Sequence, residues 1–320
     1  MKIAILGTGA YGLALATAFH DNSNKVSMWT KFEEEYNMLT KTRANERVLP
    51  GIKIPDDIEI TCNIDMCIKE ADIIVLAVPS NTVRSVAKIL KEYISKDQYL
   101  CIASKGMENS SNKFMSQVVL EEIDTDKLCV LSGPSFAIEV ANKAVFGLTV
   151  ASGNTLVCDM IRKAIQSENI VVDITDDMIG VQICASVKNI FAIILGMLDE
   201  SKNSTKATML TILFKDLKNI NIALGGNDKT VYTYAGIGDL LLTCTSSKSR
   251  NYSFGKYIYQ NMTPEQAYEK MGTKTVEGIA ALKSIKALLD KRYVNVCSID
   301  TLYDILYNNK PANDIFKCIK

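Results

Sequence analysis

The sequence predicts an α/β protein in which a doubly wound, mostly parallel sheet is followed by an all-helical second domain. Short apolar runs alternate with helical patterns as far as residue 175, and strand signals then stop. Residues 179–198 form one long run that is apolar on nearly every side. Alternating strands and helices are typical of parallel sheets built from βαβ units. We therefore expect a first domain at residues 1–175 and a second at residues 176–320.

Eight apolar runs are predicted to supply the strands of the sheet. They lie within residues 2–6, 25–30, 58–61, 71–80, 99–104, 128–141, 145–152 and 169–175, and the strands within 71–80 and 128–141 are expected to end before the polar residues at 79–80 and 132–135. Such continuous runs are expected of parallel strands that are covered on both faces. Ligands of these sheets bind outside the carboxyl ends of the strands. The segments that follow strand ends should therefore line one crevice, and they are residues 7–12, 79–80, 105 and 132–135.

Three glycines follow the first predicted strand and precede a helical pattern. Gly7 permits a tight turn, Gly9 lets the backbone approach a pyrophosphate, and Gly12 lets the helix pack close to the strand. The helix then directs unpaired N–H groups and a partial positive charge at the phosphates. A GxGxxG motif is weak evidence alone. Placed between a strand and a helix at the start of the chain, it indicates a Rossmann-like dinucleotide-binding domain.

The end of the second predicted strand bears on the choice between NAD and NADP. A carboxylate about 20 residues beyond the glycines selects NAD by binding the ribose 2′-OH. Thr30 and Lys31 stand at this place instead, and Glu33, Glu34 and Glu35 follow. Lys31 could contact the 2′-phosphate of NADP, and the glutamates suit the charged first turn of a helix equally well. Both cofactors therefore remain open at this stage.

Composition argues against several classes of function. Basic and acidic residues balance at 36 each, without a long basic run interleaved with aromatic residues, so nucleic-acid binding has no electrostatic support. The nine cysteines are scattered without a CxxC pair, which indicates reduced thiols rather than a disulfide framework or a metal site. The amino-terminal MKIAILG does not have the form of a secretory signal. We expect a cytoplasmic protein without stable membrane insertion.

His20 is the single histidine of the chain, and it falls late in the first helical run. A Ser-His-Asp triad or a histidine-based 2-hydroxy-acid dehydrogenase would have to use this one residue, which is poorly placed for the task. We therefore expect a lysine or a carboxylate to move protons near neutral pH.

The apolar helix predicted at 179–198 carries Lys188 and Asn189 in its middle. Burial disfavours the charged form of a lysine, which lowers its pKa from about 10.4 and makes it a usable proton acceptor. Three structural interpretations compete with this one. The helix could span a membrane, although a charge at its centre costs about 2.5–3.5 kcal/mol. Lys188 could instead extend to the surface, or pair with a carboxylate in the core.

Two polar segments stand out among the helices of the second domain. The helical patterns cover residues 177–199, 205–224, 249–260, 264–271, 276–290 and 298–307. Residues 235–239 are predicted to form a glycine-rich turn that delivers Asp239. Ser249, Arg250 and Asn251 open the next helix, and Ser249 suits its N-cap. The alternative to a cap is an anion site, in which Arg250 makes paired hydrogen bonds to a phosphate.

Together these motifs resemble the soluble NAD(P)-dependent glycerol-3-phosphate dehydrogenases, particularly the bacterial type. The matches cover most of the chain, and the later ones are far more specific at these spacings than the nucleotide fingerprint. They are GTGAYG (7–12), AVPS (77–80), SKG (104–106), LSGPSFAIEVA (131–141), IGVQICASVKN (179–189), AGIGDLLLTC (235–244), SRN (249–251) and VEG (276–278).

The resemblance implies reversible reduction of dihydroxyacetone phosphate to sn-glycerol 3-phosphate, the backbone precursor of glycerophospholipids, with NAD or NADP as cofactor and a homodimeric assembly. It implies that Lys188 is the proton donor and acceptor at the C2 oxygen, and that Lys105 and Asp239 are the other catalytic residues. The implied substrate contacts are Lys105, Gly133, Ser135, Lys188, Asp239, Ser249, Arg250 and Asn251. The implied cofactor contacts are Gly7, Gly9, Ala10, Tyr11, Gly12, Lys31, Lys105, Ala137, Arg250 and Glu277.

Elementary electrostatics agrees with this map. Lys105 beside Lys188 would lower the pKa of Lys188 by like-charge repulsion, as burial would, whereas Asp239 would raise it by stabilising the ammonium. A dianionic phosphate requires Arg250 and the N–H groups at a helix start, which favours an anion site over a simple cap.

The chain departs from the family pattern in three segments. Val145 and Phe146 stand where the family usually has Pro-Thr, and Ile212 replaces an arginine. Gln182-Ile183 and Ala185-Ser186 stand where the family usually has Glu-Leu and Gly-Ala before the Lys-Asn pair. The loss of the arginine removes a charge from the second domain, so we expect altered subunit or loop contacts. The three charged residues assigned to chemistry and phosphate binding are kept.

Two other functions fit part of the pattern. A lysine-using dehydrogenase of the 3-hydroxyacid or 6-phosphogluconate type also joins a Rossmann domain to a helical domain and places Lys-Asn on a helix. Asp239 and the trio that begins at Ser249 favour a triose phosphate over a carboxylate substrate. A non-catalytic Rossmann protein that senses dinucleotides would require only structural roles for Lys188 and Asp239.

Overall fold

The computed structural model of the chain describes residues 1–273 and 275–319. The chain forms two compact units. The first contains Met1–Lys105 and Met115–Met178, and the second begins at Ile179 and includes Gly106–Phe114.

Ten strands are present in the described residues. They are β1 (Lys2–Leu6), β2 (Lys25–Trp29), β3 (Glu59–Thr61), β4 (Ile73–Leu76), β5 (Tyr99–Ile102), β6 (Met107–Glu108), β7 (Lys113–Phe114), β8 (Leu128–Ser132), β9 (Phe146–Ala151) and β10 (Ile170–Thr175).

The same residues form fourteen α-helices. Those of the first part of the chain are α1 (Ala10–Asp21), α2 (Glu33–Thr42), α3 (Ile64–Ile68), α4 (Val83–Leu90), α5 (Met115–Glu122), α6 (Ala137–Ala141) and α7 (Thr155–Ile165). They are followed by α8 (Met178–Met197), α9 (Asn203–Ala223), α10 (Asp239–Thr245), α11 (Arg250–Tyr259), α12 (Pro264–Met271), α13 (Glu277–Asp290) and α14 (Cys297–Tyr307). Short 3₁₀ segments cover Ser80–Thr82, Asp228–Tyr232 and Ala312–Ile319.

The first unit contains an eight-stranded sheet in the order β10-β9-β8-β5-β4-β1-β2-β3. All neighbouring pairs are parallel except β8 and β9, which are antiparallel. Residues Ile3–Leu6 of β1 and Ile73–Leu76 of β4 are fully buried. Strands covered by helices on both faces have no polar side, which is why these runs do not alternate. The predicted doubly wound, mostly parallel sheet is therefore confirmed.

The loop between β1 and α1 depends on glycine for steric reasons. Gly7 has a φ of +122°, and a Cβ on it would lie 2.6 Å from the carbonyl oxygen of Ala77. A Cβ on Gly12 would lie 2.2 Å from the carbonyl oxygen of Gly7. A side chain on Gly7 would collide with the segment after β4, and one on Gly12 would force α1 away from the end of β1. The loop therefore keeps the start of α1 against the carboxyl end of the central strand.

Helix α8 forms the centre of the second unit. Every residue from Gly180 to Met197 is buried, and its apolar side chains pack with those of α9, α11, α13 and α14. By length and composition α8 could cross a membrane, but 89% of its most apolar window is buried inside the unit. Its all-round apolar surface is thus explained by packing on every side.

Helices α8 and α11 approach each other at backbone distance. A Cβ on Gly255 would lie 1.9 Å from the carbonyl oxygen of Ile193, and a Cβ on Gly196 would lie 2.0 Å from that of Tyr252. One glycine on each helix therefore permits the contact. It brings the start of α11 close to the buried face of α8.

Residues 235–239 differ from the predicted glycine-rich turn, and that prediction is wrong. Tyr234–Gly238 form a π-helical segment that runs directly into α10. A Cβ on Gly236 would lie 2.3 Å from the carbonyl oxygen of Val231. The glycine thus permits tight packing onto the preceding 3₁₀ segment. A glycine that permits close packing and one that permits a turn look the same in the sequence.

The hairpin of β6 and β7 and the segment Ala312–Ile319 were also not predicted.

Candidate active site

Four residues predicted to follow strand ends meet in the first unit. The ammonium of Lys105, just after β5, donates a hydrogen bond to the carbonyl oxygen of Gly133, just after β8, at 3.0 Å. The same Nζ lies 5.6 Å from the centre of the Tyr11 ring. The Tyr11 hydroxyl lies 3.0 Å from the Oγ of Ser135, which itself donates to the Gly133 carbonyl at 3.1 Å. Tyr11 therefore connects the glycine loop to the two strand ends.

Two helix starts border this cluster. Ala10 is the first residue of α1 after the exposed N-cap Gly9, and Ala137 is the first residue of α6. A helix start offers unpaired N–H groups and a partial positive charge, which suits a bound phosphate. The positions of Gly9 and Ala10 therefore fit the predicted pyrophosphate contact.

Ser104 is a further residue of this edge that the sequence interpretation missed. Its buried hydroxyl lies within hydrogen-bond distance of the carbonyl oxygens of Leu76 and Val78, at 3.1 and 2.6 Å. The bonds tie the end of β5 to the end of β4 and thereby orient the adjacent Lys105. The SKG motif was the only sequence signal for it.

The carboxyl end of β2 holds a carboxylate that was not singled out in the sequence. Lys31 is exposed there, and Glu33, Glu34 and Glu35 form the first turn of α2, as the structural interpretation had it. Only Glu35 turns inward: its Oε2 accepts hydrogen bonds from the hydroxyls of Thr8 and Thr30 at 2.6 and 2.9 Å. Three consecutive glutamates gave no signal as to which would do so.

In the second unit, Lys188 and Asp239 form a buried ion pair. The Lys188 Nζ lies 2.5 Å from Oδ1 of Asp239, and the two residues are 6% and 1% exposed. Thr243, one turn beyond Asp239, donates its hydroxyl to the Asp239 carbonyl oxygen at 2.7 Å and lies 3.3 Å from Oδ1. The interpretation of Lys188 as a core residue paired with a carboxylate is thus confirmed, and extension to the surface is wrong.

The surroundings of the ion pair are buried. Lys188, Asp239 and the neighbouring Cys244 are all shielded from solvent, and burial raises the pKa of the Cys244 thiol far above its usual range. The two charges of the pair therefore interact strongly with each other.

A chain of amide groups connects α8, α11 and α13. The side-chain amide of Asn251 donates to Oδ1 of Asn189 at 3.0 Å, and Asn189 donates to Oε2 of Glu277 at 3.2 Å. The backbone N–H of Gly278 donates to Oδ1 of Asn251 at 2.9 Å. The other Glu277 oxygen lies 3.6 Å from the guanidinium of Arg250, and both of these side chains are largely exposed. The network fixes the start of α13 to that of α11.

Ser249 is the N-cap of α11, as one of the two interpretations had it. Its hydroxyl oxygen accepts a hydrogen bond from the backbone N–H of Tyr252 at 3.3 Å. A hydroxyl that accepts in this way still has its O–H to donate. Capping and anion binding are therefore compatible at this residue, and the choice between them that the sequence posed is not exclusive.

Three of the departures from the family pattern lie outside these clusters. Val145 is exposed just before β9, Phe146 is its first residue, and Ile212 is half-buried on α9. Across residues 1–273 and 275–319, His, Cys, Asp and Glu side chains do not gather in groups of three that could hold a metal ion.

Comparison with known proteins covers both units. Residues 2–158 match the family model of the NAD-dependent glycerol-3-phosphate dehydrogenase N-terminus, and residues 177–317 match that of its C-terminus. A glycerol-3-phosphate dehydrogenase [NAD(P)+] of Listeria monocytogenes serotype 4a is 34% identical over 318 residues, which cover 98% of this chain and 94% of the relative. The enzyme of the same name from Fusobacterium nucleatum is 34% identical over 316 residues, with the same coverage.

Solved structures give the same result. The crystal structure of glycerol-3-phosphate dehydrogenase from Coxiella burnetii superposes with a TM-score of 0.91 at 28% identity, covering 99% of this chain and 97% of that one. The Plasmodium falciparum glycerol-3-phosphate dehydrogenase superposes with a TM-score of 0.91 at 20% identity, which shows the shared fold. The chain therefore belongs to the NAD-dependent glycerol-3-phosphate dehydrogenase family.

Proposed function

We propose that the chain is an NAD(P)-dependent oxidoreductase that interconverts dihydroxyacetone phosphate and sn-glycerol 3-phosphate. The buried Lys188–Asp239 pair is the observation that carries this proposal, because it provides a fixed proton donor in a water-poor site. The two family models, which match residues 2–158 and 177–317, and the relatives that match nearly the whole chain are all named for glycerol 3-phosphate, which supports this substrate. Reduced nicotinamide, when bound, supplies the hydride that adds to C2 of the ketone.

Lys188 is proposed to manage the proton at the C2 oxygen. In the reductive direction its ammonium stabilises the developing alkoxide and then donates a proton to it, which leaves an alcohol and a neutral amine. Asp239 holds the ammonium in place through the 2.5 Å contact and favours its charged form. In the oxidative direction the neutral amine accepts the alcohol proton.

The phosphate of the substrate is proposed to bind at the start of α11. Arg250 offers a largely exposed guanidinium, and Ser249 has an O–H to donate beside its capping bond. Asn251 uses one N–H and its oxygen within the amide network, which leaves its second N–H for the phosphate. Gly133, Ser135 and Lys105 are the proposed substrate contacts of the first unit.

The cofactor is proposed to bind along the carboxyl edge of the sheet. The N–H groups of the glycine loop and of Ala10 suit its pyrophosphate. The remaining proposed contacts are Gly7, Gly9, Tyr11, Gly12, Lys31, Lys105, Ala137, Arg250 and Glu277. Residues 1–175 would thus serve as the dinucleotide-binding domain, and residues 176–320 as the substrate and catalytic domain.

A substrate panel tests the proposal. We expect oxidation of NADH or NADPH with dihydroxyacetone phosphate and none with unphosphorylated dihydroxyacetone. Activity only with 3-oxoacids or 6-phosphogluconate would favour the other class of lysine-using dehydrogenase. Cofactor binding without turnover of any small ketone would favour a dinucleotide sensor.

Lys188→Ala provides the matching test of mechanism. We expect turnover to fall by orders of magnitude while the cofactor still binds, with the exposed Lys215→Ala on α9 as control. Retained turnover would exclude Lys188 as the proton donor.

The cellular setting is proposed from the family alone. We infer a cytoplasmic homodimer that supplies sn-glycerol 3-phosphate to glycerophospholipid synthesis. Analytical ultracentrifugation of the purified chain tests the assembly, and a single species of monomer mass at micromolar concentration would contradict it.

A further inference from the structure

Glu35 is partly buried and held by hydrogen bonds, whereas the two glutamates before it are exposed. Its side chain is 21% exposed, whereas Glu33 and Glu34 are exposed on the same helical turn. Oε2 accepts hydrogen bonds from Thr8 and Thr30, which are both buried. A carboxylate held by two hydroxyls has a defined position, unlike a solvated charge on a helix surface.

The two hydroxyls belong to the two segments that frame a bound adenosine. Thr8 lies between Gly7 and Gly9 in the glycine loop, and Thr30 directly follows β2. In a sheet of this kind the ribose of the adenosine lies between that loop and the end of the second strand. An acidic group at this place accepts a hydrogen bond from the ribose 2′-OH, and its charge repels a 2′-phosphate.

We propose that Glu35 is a specificity-determining residue that makes the chain prefer NAD(H) over NADP(H). The residue takes the role of the acidic group that is missing directly after β2, although it reaches the site from the first turn of α2. This inference rests on the dinucleotide-binding part of the proposed function and does not depend on the substrate.

Two cations near this place act against the preference, and their exposure decides the balance. Lys31 is exposed, and the Arg47 side chain is 80% exposed, with its Nη2 at 3.7 Å from Oε1 of Glu35. Exposed charges on long, mobile side chains are screened by water and salt and contribute little. The charge of Glu35 is fixed by its two bonds and partly shielded from solvent. We therefore expect it to outweigh both cations.

Direct binding of both cofactors to the purified chain tests the proposal without reference to turnover. Trp29, the single tryptophan, is the last residue of β2, so energy transfer from its emission to reduced nicotinamide can report binding. We expect the Kd for NADPH to exceed that for NADH at least about tenfold, which corresponds to one well-placed charge.

Three variants separate the role of Glu35 from general effects of charge. Glu35→Gln keeps an oxygen acceptor for one threonine but removes the charge, and it should reduce the NADPH-to-NADH ratio of Kd values by about tenfold. Glu34→Gln removes the same charge from the exposed neighbouring position and should leave the ratio unchanged. Thr30→Val keeps the charge but removes one of its two donors, and it should reduce the ratio by a smaller factor.

The possible outcomes are distinct. A wild-type chain that binds NADPH as tightly as NADH, or a Glu35→Gln variant that binds both with an unchanged ratio, would overturn the role of Glu35. An equal shift in Glu34→Gln would show a general charge effect and would also overturn it. Failure of the wild-type chain to bind either dinucleotide would overturn the proposed function itself. Binding of NADH without turnover of dihydroxyacetone phosphate would leave the specificity result intact and reject only the proposed substrate.

Discussion

Lys188 and Asp239, 51 residues apart in the chain, form an ion pair at 2.5 Å in which both side chains are buried. Removing two charges from water costs several kcal/mol per ion, and close contact with further hydrogen bonds is needed to offset it. Thr243 supplies one such partner to Asp239. The proposed chemistry and the stability of the second unit therefore depend on the same two residues.

The first prediction concerns the stability of this pair. Either Lys188→Met or Asp239→Leu should lower the free energy of unfolding by about 3–5 kcal/mol, because each leaves one buried charge without its partner. The double variant should lose markedly less than the sum, since neither charge remains. Urea unfolding of the four proteins measures this coupling. Additive losses would show that the two charges do not stabilise each other.

The second prediction concerns the contact between α8 and α11. Gly255→Ala should lower the free energy of unfolding by about 1–3 kcal/mol or more, because its Cβ would lie 1.9 Å from the carbonyl oxygen of Ile193. The control is Gly153→Ala, whose Cβ would have no neighbour within 4 Å. Its effect should stay within about 0.5 kcal/mol. Equal effects of the two variants in thermal or urea unfolding would contradict the close helix contact.

The third prediction concerns the hydroxyl of Tyr11. Tyr11→Phe keeps the ring beneath Lys105 but removes the contact with Ser135. The hydroxyl holds Tyr11, a proposed cofactor contact, in position, and a neutral hydrogen bond contributes about 0.5–1.5 kcal/mol. We therefore expect the KM for the cofactor to rise about two- to tenfold with the fold unchanged. Tyr11→Leu removes the ring as well and should raise this KM further. Identical KM values for the Phe and Leu variants would show that the ring does not contribute to cofactor binding.

The fourth prediction concerns Arg250 and the phosphate. Arg250→Ala should lower kcat/KM for dihydroxyacetone phosphate by about 10- to 150-fold, since a hydrogen bond to a charged group contributes about 1.5–3 kcal/mol. Arg292→Ala, at an exposed arginine beyond the end of α13, provides a control of the same residue type. Steady-state kinetics measures both. Equally small losses of kcat/KM in the two variants would show that Arg250 does not bind the substrate phosphate.

The fifth prediction concerns pH and Asp216 of α9, which accepts a hydrogen bond from Ser298 at 2.5 Å. Burial raises the pKa of Asp216 above its ordinary value of 3.8. The folded state thus binds a proton more readily than the unfolded state. The contribution of protonated Asp216 to the free energy of unfolding is fully present below pH 3.8, and it is lost as the pH rises through the higher pKa of Asp216 in the folded state.

Asp216→Asn should remove this pH dependence. The unfolding free energy of the variant should equal or exceed that of the wild type at neutral pH, and the difference should decline towards pH 3.8. Ser298→Ala removes the donor that lowers the pKa, so it should widen the pH range of the loss. Urea unfolding across this range measures both effects. If Asp216→Asn were less stable than the wild type, and by more at neutral pH than at pH 3.8, the direction of the pKa shift would be contradicted.

Much of the first unit could be predicted from local pattern. Continuous apolar runs predicted buried parallel strands, and the spacing of Gly7, Gly9 and Gly12 predicted the turn from β1 to α1. These features depend on backbone sterics and burial within a few residues, which a sequence displays directly. The apolar surface of α8 was visible for the same reason.

Other features depended on which distant groups meet. The sequence of residues 235–239 was compatible with a turn, but Tyr234–Gly238 are helical and Gly236 packs closely against the backbone of Val231. Residues 106–114 follow a strand of the first unit but belong to the second. Local propensity does not encode such choices, because they follow from long-range contacts.

The sequence by itself determined the buried parallel strands, the glycine loop and the apolar surface of α8, because periodicity and backbone sterics act over neighbouring residues. Only the tertiary structure decided that Asp239 pairs with Lys188, that Asn251 joins Asn189, and that Glu35 alone of three glutamates turns towards Thr8 and Thr30. Hydrogen bonds and ion pairs form between groups brought together by packing, and a linear pattern shows which faces are buried but not which partners they meet.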